Sequence, residues 1–200
     1  LQESLNQVVD KAFSEVGLET SDNNMTKPQM EFKDQDDFIS GLWNYAKKAA
    51  SKIGVNPAVM IAQSALETGW GKFIIKDKNG ESSFNLFNVK AHRGWQGDKA
   101  AQSTLEYEQG VAVRKTEPFR VYNNFSEAFD DFVDFLKGNA RYQPALKKVE
   151  NSEQFLQELQ EAGYATDPNY ADKIINILKS NKFQSVIGKL NSQADSNIGA

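Results

Sequence analysis

Asn56-Pro57-Ala58-Val59-Met60-Ile61-Ala62-Gln63-Ser64-Ala65-Leu66-Glu67-Thr68-Gly69-Trp70-Gly71 is the stretch on which the reading of this 200-residue chain turns. Asn56 and Pro57 form an N-cap and first-turn pair, since asparagine accepts from a free helical N–H and proline has none to leave unsatisfied. Ala58, Ile61, Ala62, Ala65 and Leu66 then give a helix that is nearly all apolar, and Gly69 supplies its left-handed stop. A helix without a polar face belongs at the centre of a fold. Yet it ends on a carboxylate, Glu67, beside an aromatic residue.

Working outward, Phe38, Leu42, Tyr45, Ala46, Ala49 and Ile53 place an amphipathic helix before it, with Asp36 as the expected cap and Gly54 as its end. After it the period changes to two. Leu105 and Tyr107 share one side of a strand, Glu106 and Glu108 the other, and Gln109-Gly110 turns the chain into Val111-Ala112-Val113, which predicts a hairpin. Helical spacing returns at Phe129, Phe132, Val133 and Leu136, at Phe155, Leu156 and Leu159 after a Ser152 cap, and at Ala171, Ile174, Ile175 and Leu178 after Asp167-Pro168. The order of elements predicts an α+β fold.

Leu1, Leu5, Val8, Val9, Ala12, Phe13 and Val16 predict a further amphipathic helix, followed by a polar linker to Asp34. Residues 1–34 hold seven acids and three bases, whereas residues 35–200 hold twenty of each. The body is therefore neutral and lacks the basic surplus with which nucleic-acid binders displace counterions. No run of about eighteen apolar residues is present to cross a bilayer. The chain opens at Leu1 rather than methionine, so residues 1–34 are expected to be a helix and tether from a missing N-terminal domain, 35–188 the folded domain, and 189–200 a flexible tail.

Several chemistries are excluded. The chain has no cysteine and one histidine, so a thiolate nucleophile, a serine–histidine couple with a nucleophile elbow and a multi-imidazole zinc site all lack their parts. No phosphate-cradling glycine pattern occurs, and no metal or cofactor is expected. Glu67 is the informative carboxylate. The helix C-terminus disfavours an anion there and apolar surroundings would desolvate it, so both effects favour the protonated acid that glycosidic cleavage needs; on spacing alone a surface glutamate in a frayed last turn is the alternative. A second carboxylate is available on the hairpin from Glu106 or Glu108, which spacing does not separate, with Asp131 in reserve on the Phe-striped helix. Aromatic residues and asparagines gathered near the hairpin and in Gly163 to Tyr170 suit a carbohydrate groove, although Trp70, Phe84, Phe87 and Trp95 each also suit the core.

Four separated motifs, Ala65-Leu66-Glu67-Thr68-Gly69-Trp70-Gly71, Asn85-Leu86-Phe87-Asn88-Val89-Lys90, Phe119-Arg120-Val121-Tyr122 and Gly163 to Ala171, resemble glycoside hydrolase family 73 over about residues 36–182, most of all its member associated with flagellar rod assembly. The resemblance implies a lysozyme-like fold, with a mainly helical lobe, a small antiparallel hairpin lobe and a glycan cleft between them. It implies endo cleavage of the peptidoglycan β-1,4 bond following N-acetylglucosamine, with no cofactor. By position Glu67 matches the general acid, Glu106 the second carboxylate and Tyr164 an active-site tyrosine. Asn85, Phe87 and Lys90 match the motif lining the cleft, and Trp70, Trp95 and Tyr170 are expected substrate contacts. Flagellar rod proteins, reached through the missing domain, and a periplasmic location after flagellar export are implied as well. A peptidoglycan-binding or rod-binding module without turnover, a muramidase and a lytic transglycosylase are the alternatives. One departure is Asn88, where the family motif has glycine. Asparagine tolerates the left-handed region, so the turn should survive in a narrower groove.

Overall fold

The computed structural model describes residues 31–92, 94–109 and 111–196, without the side chains of 104–108 and 194–196. The predicted helix at Leu1 to Val16 lies outside these residues. Seven α-helices and one β-hairpin are described: α1 (Gln35–Ser51), α2 (Pro57–Thr68), β1 (Lys99–Glu108), β2 (Val111–Arg120), α3 (Phe125–Gly138), a 3-10 turn (Ala140–Tyr142) leading into α4 (Gln143–Leu146), α5 (Ser152–Glu161), α6 (Tyr170–Lys179) and α7 (Asn181–Ser196).

α2 is the centre, as its composition demands. Asn56 accepts from Ala58 N at 2.9 Å, Pro57 opens the helix, and Gly69 closes it in the left-handed region at φ 56°. Even its polar residues Gln63, Ser64 and Thr68 are buried. Ser64 and Thr68 turn their hydroxyls back onto the Ile61 and Ser64 carbonyls, which satisfies them inside the core. α1, α6 and the Phe stripe of α3 (Phe125, Phe129, Phe132) enclose it in one large hydrophobic cluster.

Local cap chemistry differs from the sequence expectation at three helix starts. α1 is capped by Asp34, which accepts from Asp37 N at 2.9 Å, so Asp36 falls in the first turn, where the helix dipole favours an acid. α5 is capped by Asn151 rather than Ser152. Asp167 accepts from Asn169 N within the turn before α6, and the helix begins only at Tyr170. At the far end α7 continues to Ser196, beyond the boundary at 189 where a tail was expected. Val186 and Ile187 are buried, Leu190 packs against the core, and no proline follows to stop the helix.

The hairpin is a two-stranded antiparallel ribbon, paired from Lys99↔Arg120 to Glu108↔Val111, and Gln109 adopts φ 50° in its turn. It has its own small cluster, Ile75, Ala100, Phe119 and Val121, at the base. Backbone bonds Ala91 N to Pro118 O, Arg120 N to Val89 O and Tyr122 N to Ser83 O stitch that base to the loop 82–92. Farther out, Val111 is 63% exposed. A ribbon of two strands has little stability alone, so its base is what holds it. Two clusters give two lobes, with the loop 82–92 and the end of α2 at their junction. No helix among the described residues is long and apolar enough to cross a membrane.

Candidate active site

The end of α2 is stiffened before it reaches the junction. Gly69 and Trp70 are both left-handed, Trp70 N returns to Ala65 O at 2.9 Å, and Thr68 Oγ1 accepts from Gly71 N at 2.9 Å. Glu67, one residue before this lock, is half-buried. Asn88 Nδ2 donates to Glu67 Oε2 at 2.8 Å and to the Glu67 carbonyl at 3.1 Å. Burial raises the carboxyl from its ordinary 4.5 to about 7, with the Asn88 bond opposing in part. The acid is thus poised between its charged and neutral forms near neutral pH, which is the condition for efficient proton donation.

Two cavities meet at this carboxyl. One, about 660 Å³, is bounded by Glu67, Asn88 and Phe119 together with Phe135, Tyr142 and Tyr164. The other, about 510 Å³, shares Glu67, Asn88 and Phe119 and continues past Lys72, Phe73, Gln102 and Ser103. The groove therefore passes Glu67 with room on either side. Phe73 is 74% exposed at the wall of the second cavity. An aromatic ring left in water at a groove wall offers an apolar face to whatever the groove takes up.

The side chains nominated from sequence separate into wall and support. Lys90 and Tyr164 line the first cavity. Tyr164 donates to the Phe87 carbonyl at 2.8 Å, and burial keeps its phenol neutral, well above the ordinary range. Asn85 is fully buried: its amide donates to the Val89 and Arg120 carbonyls and its oxygen accepts from Val89 N, which ties loop 82–92 to β2. Phe87 touches the first cavity at its edge, but its ring is buried, stacked on Phe132 at 3.9 Å. Tyr170 is buried and accepts from Gln63 Nε2 at 3.1 Å. Trp70 packs edge-on to Phe38 within the helical lobe. Trp95 donates to the Asp98 carbonyl and lies under the Arg120 guanidinium at 4.6 Å, beside Tyr122. Asn85, Tyr170, Trp70 and Trp95 line neither cavity that meets at Glu67.

Glu106 is carried by β1 opposite Val113, and its side chain is outside the described ones. Asp131 is already engaged. Arg120 Nη1 donates to both of its oxygens at 2.8 Å and Tyr122 Oη to Oδ2 at 2.6 Å, which fastens α3 to the base of β2. His92, Asn139, Arg141, Tyr142 and Thr166 on the first cavity, and Phe73 on the second, were not singled out from sequence. An unsupported aromatic in Gly71-Lys72-Phe73 was the available signal for Phe73. No group of three or more His, Asp or Glu among the described residues could hold a metal ion.

A helical lobe, a hairpin lobe and an acid held near neutral pKa in the groove between them define a lysozyme-like glycoside hydrolase domain. The family model described as "Glucosaminidase: Mannosyl-glycoprotein endo-beta-N-acetylglucosaminidase" matches residues 43–183, and the chain belongs to that family, glycoside hydrolase family 73. It is 50% identical over 148 residues to "Peptidoglycan hydrolase FlgJ" of Pseudomonas aeruginosa, covering 74% of this chain and 37% of that one. Among solved structures, a peptidoglycan hydrolase mutant from Sphingomonas sp. A1 superposes with a TM-score of 0.72 at 40% identity, over 77% of this chain and 99% of the other. The glycoside hydrolase domain of Salmonella typhimurium FlgJ does so with a TM-score of 0.64 at 36% identity, over 82% and 98%. The chain spans about half or less of the length of the FlgJ relatives it matches.

Proposed function

We propose that this domain is an endo-β-N-acetylglucosaminidase that hydrolyses the β-1,4 bond between N-acetylglucosamine and N-acetylmuramic acid in peptidoglycan. The observation that carries the reading is Glu67, a carboxyl raised to about 7, at the meeting point of two adjoining cavities. Glu67 protonates the glycosidic oxygen as the bond breaks, and Glu106 supplies the second carboxylate from the hairpin when the ribbon closes over the groove. Tyr164 holds the loop that faces Glu67 through the Phe87 carbonyl. Lys90 meets substrate directly, and Phe87, Asn85, Tyr170, Trp70 and Trp95 keep the groove in shape from behind. The engagement of Asp131 with Arg120 and Tyr122 favours Glu106 for the second role.

Similarity to proteins named FlgJ supports a setting in flagellar assembly, with a periplasmic site of action and rod proteins as partners of the parent chain. Clearing of a peptidoglycan suspension tests the catalytic part. Glu67→Gln and Glu106→Gln should keep the fold and lose clearing, and Asp131→Asn should clear if it remains folded. Full activity in Glu67→Gln would refute the reading, and loss in folded Asp131→Asn with activity in Glu106→Gln would move the second role.

A further inference from the structure

Asn88 is a hydrogen-bond partner of the Glu67 carboxyl on the wall shared by the two cavities. It holds φ 48°, a conformation open to glycine and asparagine and strained for most other residues. The turn is fixed on both sides of it. Tyr164 Oη holds the Phe87 carbonyl at 2.8 Å before it, and Asn85 Oδ1 accepts from Val89 N at 3.0 Å after it. Its side chain, which a glycine would lack, reaches across the groove floor to donate to both Glu67 Oε2 and the Glu67 carbonyl. Two acceptors on one residue settle which end of the amide faces Glu67, because only the nitrogen can serve both.

We infer that Asn88 is a positioning residue for the acid, fixing the Glu67 rotamer and reserving Oε2 as an acceptor so that the transferable proton sits on Oε1. The inference rests on Glu67 acting as the general acid. An N–H directed at Oε2 makes that oxygen the carbonyl-like one of the protonated carboxyl, and Oε1 becomes the donor. Asn88 lines both cavities at the point where they meet, so the contact lies where the scissile bond must sit. Without the side chain, Glu67 samples rotamers that face away from that bond.

Two variants test it. Asn88→Gly keeps the backbone conformation and removes the donor; kcat on peptidoglycan fragments should fall about tenfold, the worth of one hydrogen bond in the transition state, with KM nearly unchanged. Asn88→Asp keeps the shape and sets a second carboxyl within bonding distance of Glu67. Two acids that close share a proton, so carbon-detected NMR of the Glu67 carboxyl without substrate should show its titration moved upward and coupled to the introduced group. Unaltered kcat in Asn88→Gly, or an unmoved Glu67 titration in folded Asn88→Asp, overturns the inference. Lysis retained by Glu67→Gln would instead overturn the acid assignment itself, and the coupled titration would still report the Asn88 contact.

Discussion

Burial holds the Glu67 carboxyl protonated up to about pH 7, whereas the same group in an unfolded chain ionises at its ordinary 4.5. Between those two values the unfolded chain has lost the proton and the native state still keeps it, so stability falls as pH rises; the contribution is fully present below 4.5 and gone above about 7. At about 1.4 kcal/mol per pH unit the gap corresponds to about 3 kcal/mol. Glu67 borders two open cavities, so solvent screening lowers the expected effect to about 2 kcal/mol. Glu67→Gln removes the titration while keeping shape and hydrogen-bonding capacity. Urea unfolding followed by tryptophan fluorescence from pH 4 to pH 8 should give equal stabilities for wild type and variant at pH 4. The variant should be about 2 kcal/mol more stable at pH 8. Parallel curves across that range would mean the carboxyl is not held protonated, and the electrostatic basis of the acid assignment would fail.

The same carboxyl should give the activity an alkaline limb near pH 7, since the acid is active only while protonated; a rate flat to pH 9 would contradict it. Phe73→Ala should leave the melting temperature within error, because the ring is 74% exposed, and raise KM for long glycans several-fold through lost stacking. Tyr164→Phe removes the bond to the Phe87 carbonyl and should cost about 1 kcal/mol in unfolding free energy, with kcat lowered more than KM is raised. Asp131→Asn leaves a half-buried Arg120 guanidinium short of its partner and should destabilise by about 2 kcal/mol, measured by thermal unfolding.

What the sequence made legible is what is encoded locally. Asn56-Pro57 and Gly69 bound α2 because cap and stop act within a few residues, and the apolar run between them can only be central. The Gln109-Gly110 turn and the alternation around it specify the hairpin register in the same way. Cap positions are not separated by local sequence where polar residues stand side by side: Asp34, Asp36 and Asp37 at one helix, Asn151 and Ser152 at another. Chain geometry, which no propensity carries, decides which of them bonds. The groove itself was legible only in part. Its walls join residues 67, 88, 119, 142 and 164, and the direction in which each side chain faces is set by packing between distant elements. Asn85 and Tyr170 lie in motifs close to the groove, yet their side chains turn inward to satisfy backbone and core partners. Asn88 shows the converse, since a position marked only by its backbone conformation contributes a side chain to the site.

The central claim is that Glu67 drives cleavage after N-acetylglucosamine, and the chemistry of the new ends tests it most directly. Purified peptidoglycan digested by wild type and by Glu67→Gln would be reduced with borohydride and the soluble products weighed by mass spectrometry. Reduced N-acetylglucosamine ends from the wild type alone are the predicted result. Reduced N-acetylmuramic acid ends, anhydro-muramyl ends, or the same products from the Glu67→Gln variant would contradict the account.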